Sequence, residues 1–244
     1  SGEKLKYRLN GLLVLITVIL TWAALCYSGM MPWDWFYQYR WEGLCGAIVF
    51  GLIFSFVVVL PHPPVKKFFL ADFYLGRALN LQLWGGRIDA KMWLYLVGAI
   101  MLELNVLSFA GHHHMLYGSD ASPGIFISGA LLPFFVFDYL TFEEVYLYTY
   151  DLFPERLRFK LGWGCIAFYP FFYAIPLWAT ADLPDPGSST FMLVVSVVIF
   201  LASWSLSRGA NLQKYYFKKD PSRSFLGIKP ETISDGNKTL LVNG

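Results

Sequence analysis

The sequence predicts an all-α fold, a polytopic transmembrane helical bundle of about six spans, and three observations predict it. Composition is the first: 56% of the 244 residues are hydrophobic and 15% are charged, against about 25% charged in soluble domains, and mean hydropathy is +0.48. The second is length. Six runs approach the ~20 mostly apolar residues that cross a hydrocarbon core, at 11–29, 43–60, 92–110, 124–150, 161–181 and 190–207. The third is charge: all but Arg40 of the 19 lysines and arginines fall before the first run, in 61–91, in 151–160 or after the last run. These are alternate connections, as expected when basic residues gather on the cytoplasmic side.

Taken in order, the opening SGEKLKYRLNG carries Lys4, Lys6 and Arg8 and leads into the first run without a cleavable-signal pattern. After the second run, the 61–91 connection holds Lys66, Lys67, Arg77, Arg87 and Lys91. The third run contains Glu103 and Asn105, and the triplet 112-HHH-114 is expected in a short polar loop beyond it, on the face away from the basic segments. Metal binding there would need further ligands, and His62 is the one other histidine, so no metal site is expected. The fourth run holds Pro133, expected to kink it, with Asp138, Glu143 and Glu144, and Asp151 just beyond. Pro170 and Pro176 interrupt the aromatic fifth run, FYPFFYAIPLW, and are expected to open its backbone. The sequon at Asn237 falls on the basic, cytoplasmic side, where glycosylation is not expected. Cys26, Cys45 and Cys165 show no metal or disulfide spacing.

Ionisable groups inside spans face protein or a wet cavity. Two readings stand for the fourth-run acids: interfacial or capping groups, or a polar pocket entered from the cytoplasmic leaflet, with Glu143 and Glu144 nearest that side.

From Ser207 the last run becomes SRGANLQKYYFKKDP. On a continuing helix Asn211, Lys214 and Lys218 share a face, with Arg208 a turn earlier, and Asp220-Pro221 stops the helix. Lys219 and Arg223 bracket that stop. Such cations suit either anionic headgroups or a phosphomonoester beside a pyrophosphate. Asn211 and Gln213 favour the second, because headgroup attraction needs no amides. Neither GxGxxG nor GxxxxGK[ST] occurs, so a Rossmann domain and a P-loop are excluded, and no nucleic-acid partner is indicated.

RGANLQKYYFKK at 208–219, LLVNG at 240–244, LKYRLNG at 5–11, DFYLGRALN at 72–80 with IDAK at 88–91, and FEEVYLYTYD at 142–151 resemble the integral-membrane sterol reductases. That family includes the Δ14 and Δ7 sterol reductases, the Δ24(28) enzyme and the lamin B receptor, and LKYRLNG favours the Δ14 branch. The resemblance covers nearly the whole chain. It implies a roughly ten-span helical enzyme of endoplasmic reticulum, nuclear envelope or bacterial inner membrane that uses NADPH to saturate a sterol ring double bond. An acid protonates the alkene and hydride quenches the cation. Carried over, Lys214, Lys219 and Arg223 are phosphate ligands, Arg208 and Asn211 shape the pocket with Lys218 on the same face, and Leu241 lies beside the nucleotide. Residues 1–207 would then form the sterol-pocket part and 208–244 the cofactor-binding segment. The family continues past LLVNG with a WG..RH.NY motif expected to bring the catalytic acid; within this chain Glu144 is the candidate. The segment Gly76-Arg77-Ala78-Leu79-Asn80-Leu81-Gln82 departs from the usual GRELNPR, and Cys165 stands where several members have Asp. The competing class is a sterol- or lipid-binding receptor or scaffold without turnover. A transporter would show inverted repeats, and none is seen.

Overall fold

The computed structural model describes residues 7–149, 152, 155–236 and 238–242. Lys4, Lys6, Asp151 and the Asn237 sequon lie outside the described residues. The chain forms α1 (Gly11–Tyr27), a short α2 (Trp35–Gln38), α3 (Arg40–Val59), α4 (Phe69–Leu75), β1 (Gln82–Leu83) and β2 (Ile88–Asp89), then α5 (Ala90–Tyr117) and α6 (Pro123–Thr141). There follow α7 (Glu143–Tyr146), α8 (Phe159–Trp163), a π-helical stretch (Gly164–Phe172), α9 (Ile175–Thr180), α10 (Thr190–Lys219), β3 (Thr232–Asp235) and β4 (Lys238–Leu241). The fold is an all-α membrane bundle with two small antiparallel hairpins, β1–β2 and β3–β4.

Among the described residues, five helical segments are long and apolar enough to cross a membrane: Arg40–Val59, Ala90–Asp120, Pro123–Thr141, Phe159–Thr180 and Thr190–Lys219. The sixth expected span is the apolar α1, whose 17 residues reach about 26 Å, short of a ~30 Å core. Helix α5 is the hub. Asp89 caps its start, accepting from Lys91 N and Met92 N at 3.0 and 3.1 Å, which satisfies two otherwise orphaned amides. Its buried Leu102, Val106 and Phe109 meet Leu15 of α1, Tyr37 of α2, Val136 and Leu140 of α6 and Leu177 of α9. Nearer its start, Leu94 packs with Val59, Leu157, Leu161 and Cys165.

Two expectations are corrected. The fourth helix ends at Thr141 rather than running to 150: Phe142 leaves the helical region at φ −112°, ψ 38°, and Glu143 opens the separate turn α7. Glu143 and Glu144 therefore lie outside the span. The three histidines are not in a loop; they continue α5 to Tyr117, where His112 meets Asp34 and Asp182 and His113 meets Ser122 N and the Ala181 carbonyl. In the fifth span the expected opening takes the form of the π-helical stretch containing Pro170. Asn105 Nδ2 donates to the Pro170 carbonyl oxygen at 3.0 Å across the α5 contact. None of the three cysteines is in a disulfide.

Candidate functional site: a basic helix end beside an aromatic cavity

At 1.5 Å per residue, the 30 residues of α10 make a rod of about 45 Å, longer than the hydrocarbon core. Its last turns therefore reach into the polar region as SRGANLQKYYFKK, and Asp220 ends it with extended dihedrals before Pro221. Arg208 and Tyr215 are buried against the bundle and Asn211 between them is half-buried, whereas Lys214, Lys218, Lys219 and Arg223 are exposed. The expected helix face thus exists, with its upper part turned inward.

Arg208 is the buried member. Its Nε lies 3.7 Å from Asp138 Oδ1, its guanidinium stacks 3.9 Å above the Phe142 ring, and it stands beside the Tyr146 hydroxyl. Trp204 Nε1 donates to the other Asp138 oxygen at 3.2 Å. Both Arg208 Nη atoms are buried and meet no partner in hydrogen-bond geometry among the described residues. Leaving such donors unsatisfied is costly, so this position is suited to an anionic group.

Three of the remaining cations, Lys218, Lys219 and Arg223, are tied at the rim. Lys218 Nζ donates to the Tyr148 carbonyl at 2.6 Å. Lys219 Nζ pairs with Glu144 Oε1 at 2.7 Å and donates to the Tyr215 hydroxyl. Arg223 lies 4.1 Å over the Tyr216 ring. Lys219 and Arg223 are each held by a different tyrosine, while Leu241 is half-buried on β4 opposite Thr232. Lys219, and then the Tyr215 hydroxyl, hold the Glu144 carboxyl below its ordinary value. An ionised, exposed carboxylate serves Lys219 better than it serves proton donation.

Its neighbour Glu143 is buried instead and accepts from Gly11 N at 2.9 Å. Burial pushes this carboxyl up, with the Gly11 N–H opposing it.

A cavity of about 510 Å³ opens beside the π-helical stretch, lined by Tyr95, Tyr139, Trp163, Cys165, Tyr169 and Tyr173 among others. Its walls are largely aromatic, with five tyrosines and Lys160 among the lining residues. Tyr139 links it to the basic end, for its ring lies 3.9 Å from that of Tyr146, the residue beside Arg208. Periodicity cannot announce this chain of contacts. Tyr146 and Arg208 are far apart in sequence and meet only because α6 breaks at Phe142.

On the opposite face, His112 bridges two carboxylates, with Nδ1 3.0 Å from Asp34 and Nε2 2.9 Å from Asp182. His113 Nε2 accepts from Ser122 N at 2.8 Å, leaving Nδ1 to donate to the Ala181 carbonyl at 2.9 Å. Among the described residues no group of three or more His, Cys, Asp or Glu side chains is arranged to hold a metal. The departing segment at Gly76 has a structural use: Arg77 donates to Asp72 at 3.0 Å and to the His62 carbonyl at 2.9 Å, and Ala78 bridges Leu157.

Comparison with known proteins adds to this geometry. The chain is similar to a Delta(14)-sterol reductase of Methylotuvimicrobium alcaliphilum, 27% identical over 99% of this chain and 57% of the relative. It is similar to one of Arabidopsis thaliana, 26% identical over 100% of this chain and 67% of the relative, and to one of Mus musculus, 31% identical over 71% and 41%. The chain thus spans roughly two fifths to two thirds of the length of these relatives. The profile of the ergosterol biosynthesis ERG4/ERG24 family matches residues 1–244. An all-helical membrane bundle carrying RGANLQK at a helix end and matched by that profile over its whole length belongs to the ergosterol biosynthesis ERG4/ERG24 family.

Proposed function

We propose that the chain is the greater part of the membrane domain of an NADPH-dependent sterol reductase of the Δ14 type, an oxidoreductase that saturates a ring double bond. The observation that carries this reading is the aromatic cavity of about 510 Å³, joined through Tyr139 and Tyr146 to the buried guanidinium of Arg208. A rigid apolar ligand fits such a cavity, whose size is typical of small-molecule sites. Family membership and the names of the relatives support the substrate class.

The residues present suit a dinucleotide phosphate. In this proposal Arg208 takes an anionic oxygen, Asn211 lines the approach, and Lys214, Lys218, Lys219 and Arg223 form the cationic rim, with Leu241 packing beside the nucleotide. Bound NADPH supplies hydride. The protein's part is to hold the sterol double bond in a dry cavity, to place a proton donor on one carbon, and to present the other carbon to the cofactor. Proton and hydride together saturate the bond. Glu144 is assigned to positioning Lys219, and the proton donor is assigned to a group beyond Glu144. In this reading both ends of the chain lie on the cytoplasmic side, with the cofactor.

Lys219→Ala or Arg223→Ala in the full-length protein should weaken NADPH by about tenfold or more and NADH far less, because an Arg or Lys contact to a phosphate is charge-assisted. Equal losses for the two cofactors would remove these residues from the 2′-phosphate. Incubation of the purified protein with a Δ14 sterol and NADPH should give the reduced sterol by mass spectrometry. The second reading, a sterol-binding receptor without turnover, is favoured by the altered Gly76–Gln82 segment, and binding without product would establish it.

A further inference from the structure

A second cavity, of about 790 Å³, shares no lining residue with the aromatic cavity and takes none from α10. It lies where the start of α1, the β1–β2 hairpin and the first turns of α5 meet, and it carries both acids and arginines. The acids are already committed. Asp89 Oδ1 caps α5, while its Oδ2 accepts from Gln82 Nε2 at 2.6 Å and from the Tyr7 hydroxyl at 3.4 Å. Glu143 takes the Gly11 N–H at 2.9 Å. The cations are not committed: Arg8 and Arg87 stand exposed at the mouth and form no ion pair among the described residues. The site therefore presents two exposed guanidinium groups at its mouth, above two carboxylates that accept hydrogen bonds holding the fold.

Its depth narrows the ligand. Val14, Met92, Trp93 and Leu96 line the interior. Leu96 stands six residues into α5, about 9 Å along the axis, so the cavity descends from the polar collar into the apolar belt. A free nucleotide or phosphate would leave that floor uncovered, whereas an amphiphile would cover it. The geometry points to a binding site for an anionic phospholipid, its phosphate held between Arg8 and Arg87 and its upper acyl chain lying on Val14, Met92 and Leu96. The site is independent of the proposed reductase chemistry.

Native mass spectrometry of the detergent-purified protein, incubated with phosphatidylglycerol or with phosphatidylcholine of the same chains, tests this. The wild type should retain phosphatidylglycerol preferentially. Arg8→Ala/Arg87→Ala should lose it by about thirtyfold, from two basic residues near an anionic headgroup. Leu96→Trp, which fills the floor and leaves the charges alone, should reduce retention as well. Equal retention of both lipids by wild type and double variant overturns the site. Displacement of the lipid by millimolar inorganic phosphate reduces it to a phosphate site, and displacement by NADPH gives it to the cofactor; either result overturns the lipid assignment. An unchanged thermal unfolding midpoint in the double variant shows that the arginines act on the ligand and not on the fold.

Discussion

A Cβ built on Gly98 would lie 2.5 Å from the Cys165 carbonyl oxygen and 2.9 Å from the Tyr169 ring. Helix α5 and the π-helical stretch meet backbone to backbone at this point, in a region where lipid gives no hydrophobic drive and small residues let helices approach. Gly98→Ala should therefore cost about 1–3 kcal/mol through overpacking and distort the Tyr169 wall of the aromatic cavity. Thermal unfolding in detergent and sterol affinity would both register it. Gly46 in α3 has nothing within 4 Å of such a Cβ, so Gly46→Ala should be neutral or stabilising by up to about 1 kcal/mol. Similar gains at both positions would show that helix propensity, not packing at Gly98, governs the response. Asp72 acts at the same scale without touching either cavity: it accepts from Val65 N, Lys66 N and Arg77 and folds the 61–77 connection around a single carboxylate.

Three elements are clamped on the face opposite the basic segments. Asp34 at the start of α2, His112 near the end of α5 and Asp182 after α9 form one chain of contacts, and Tyr37 stacks 3.8 Å from His112 while donating to Asp182 at 2.5 Å. The Tyr37 hydroxyl, and then His112, hold the Asp182 carboxyl below its ordinary value of 3.8. A depressed carboxyl contributes stability that is complete above its unfolded pKa and is lost as pH falls through the folded one. The wild type should therefore lose stability below about pH 4 in part through this group, and Asp182→Asn should flatten that acid limb. Unfolding midpoints measured from pH 7 to pH 3 check this, and parallel curves for the two proteins would remove Asp182 from the effect. The clamp also explains which elements were legible in the sequence. Hydropathy locates the six apolar stretches because each is a local property. It does not locate the end of α6 at Thr141 or the helical state of His112–His114, since Phe142 stays apolar past the break and the histidines gain their partners from α2 and the segment after α9. Likewise the basic end of α10 and its stop at Asp220 follow from sequence, whereas the burial of Arg208 depends on Asp138 and Phe142 at the end of another helix.

The whole molecule has two chemically different faces, and contacts between distant segments define them. Gly11 N meets Glu143, Lys91 Nζ donates to the Leu152 and Glu155 carbonyls at 2.6 and 2.9 Å, and Lys218 and Lys219 reach Tyr148 and Glu144. The start of α1, the start of α5, the segment before α8 and the end of α10 therefore share one face, and these are the segments that hold the lysines and arginines. The clamp of Asp34, His112 and Asp182 marks the other, where Arg40 stands. Because basic loops are retained on the cytoplasmic side, the face with α10's end should be cytoplasmic, which would put the proposed cofactor site where nucleotides are found. In a protein with Cys26, Cys45 and Cys165 replaced by Ala, a single Lys229→Cys reporter should react with an impermeant maleimide only in inside-out vesicles. A Ser188→Cys reporter, in the connection between α9 and α10, should react only in right-side-out vesicles. Labelling of both from the same side would break the two-face arrangement itself. A clean reversal would keep that arrangement but put the basic end of α10 on the side without NADPH, and the cofactor reading would fall with it.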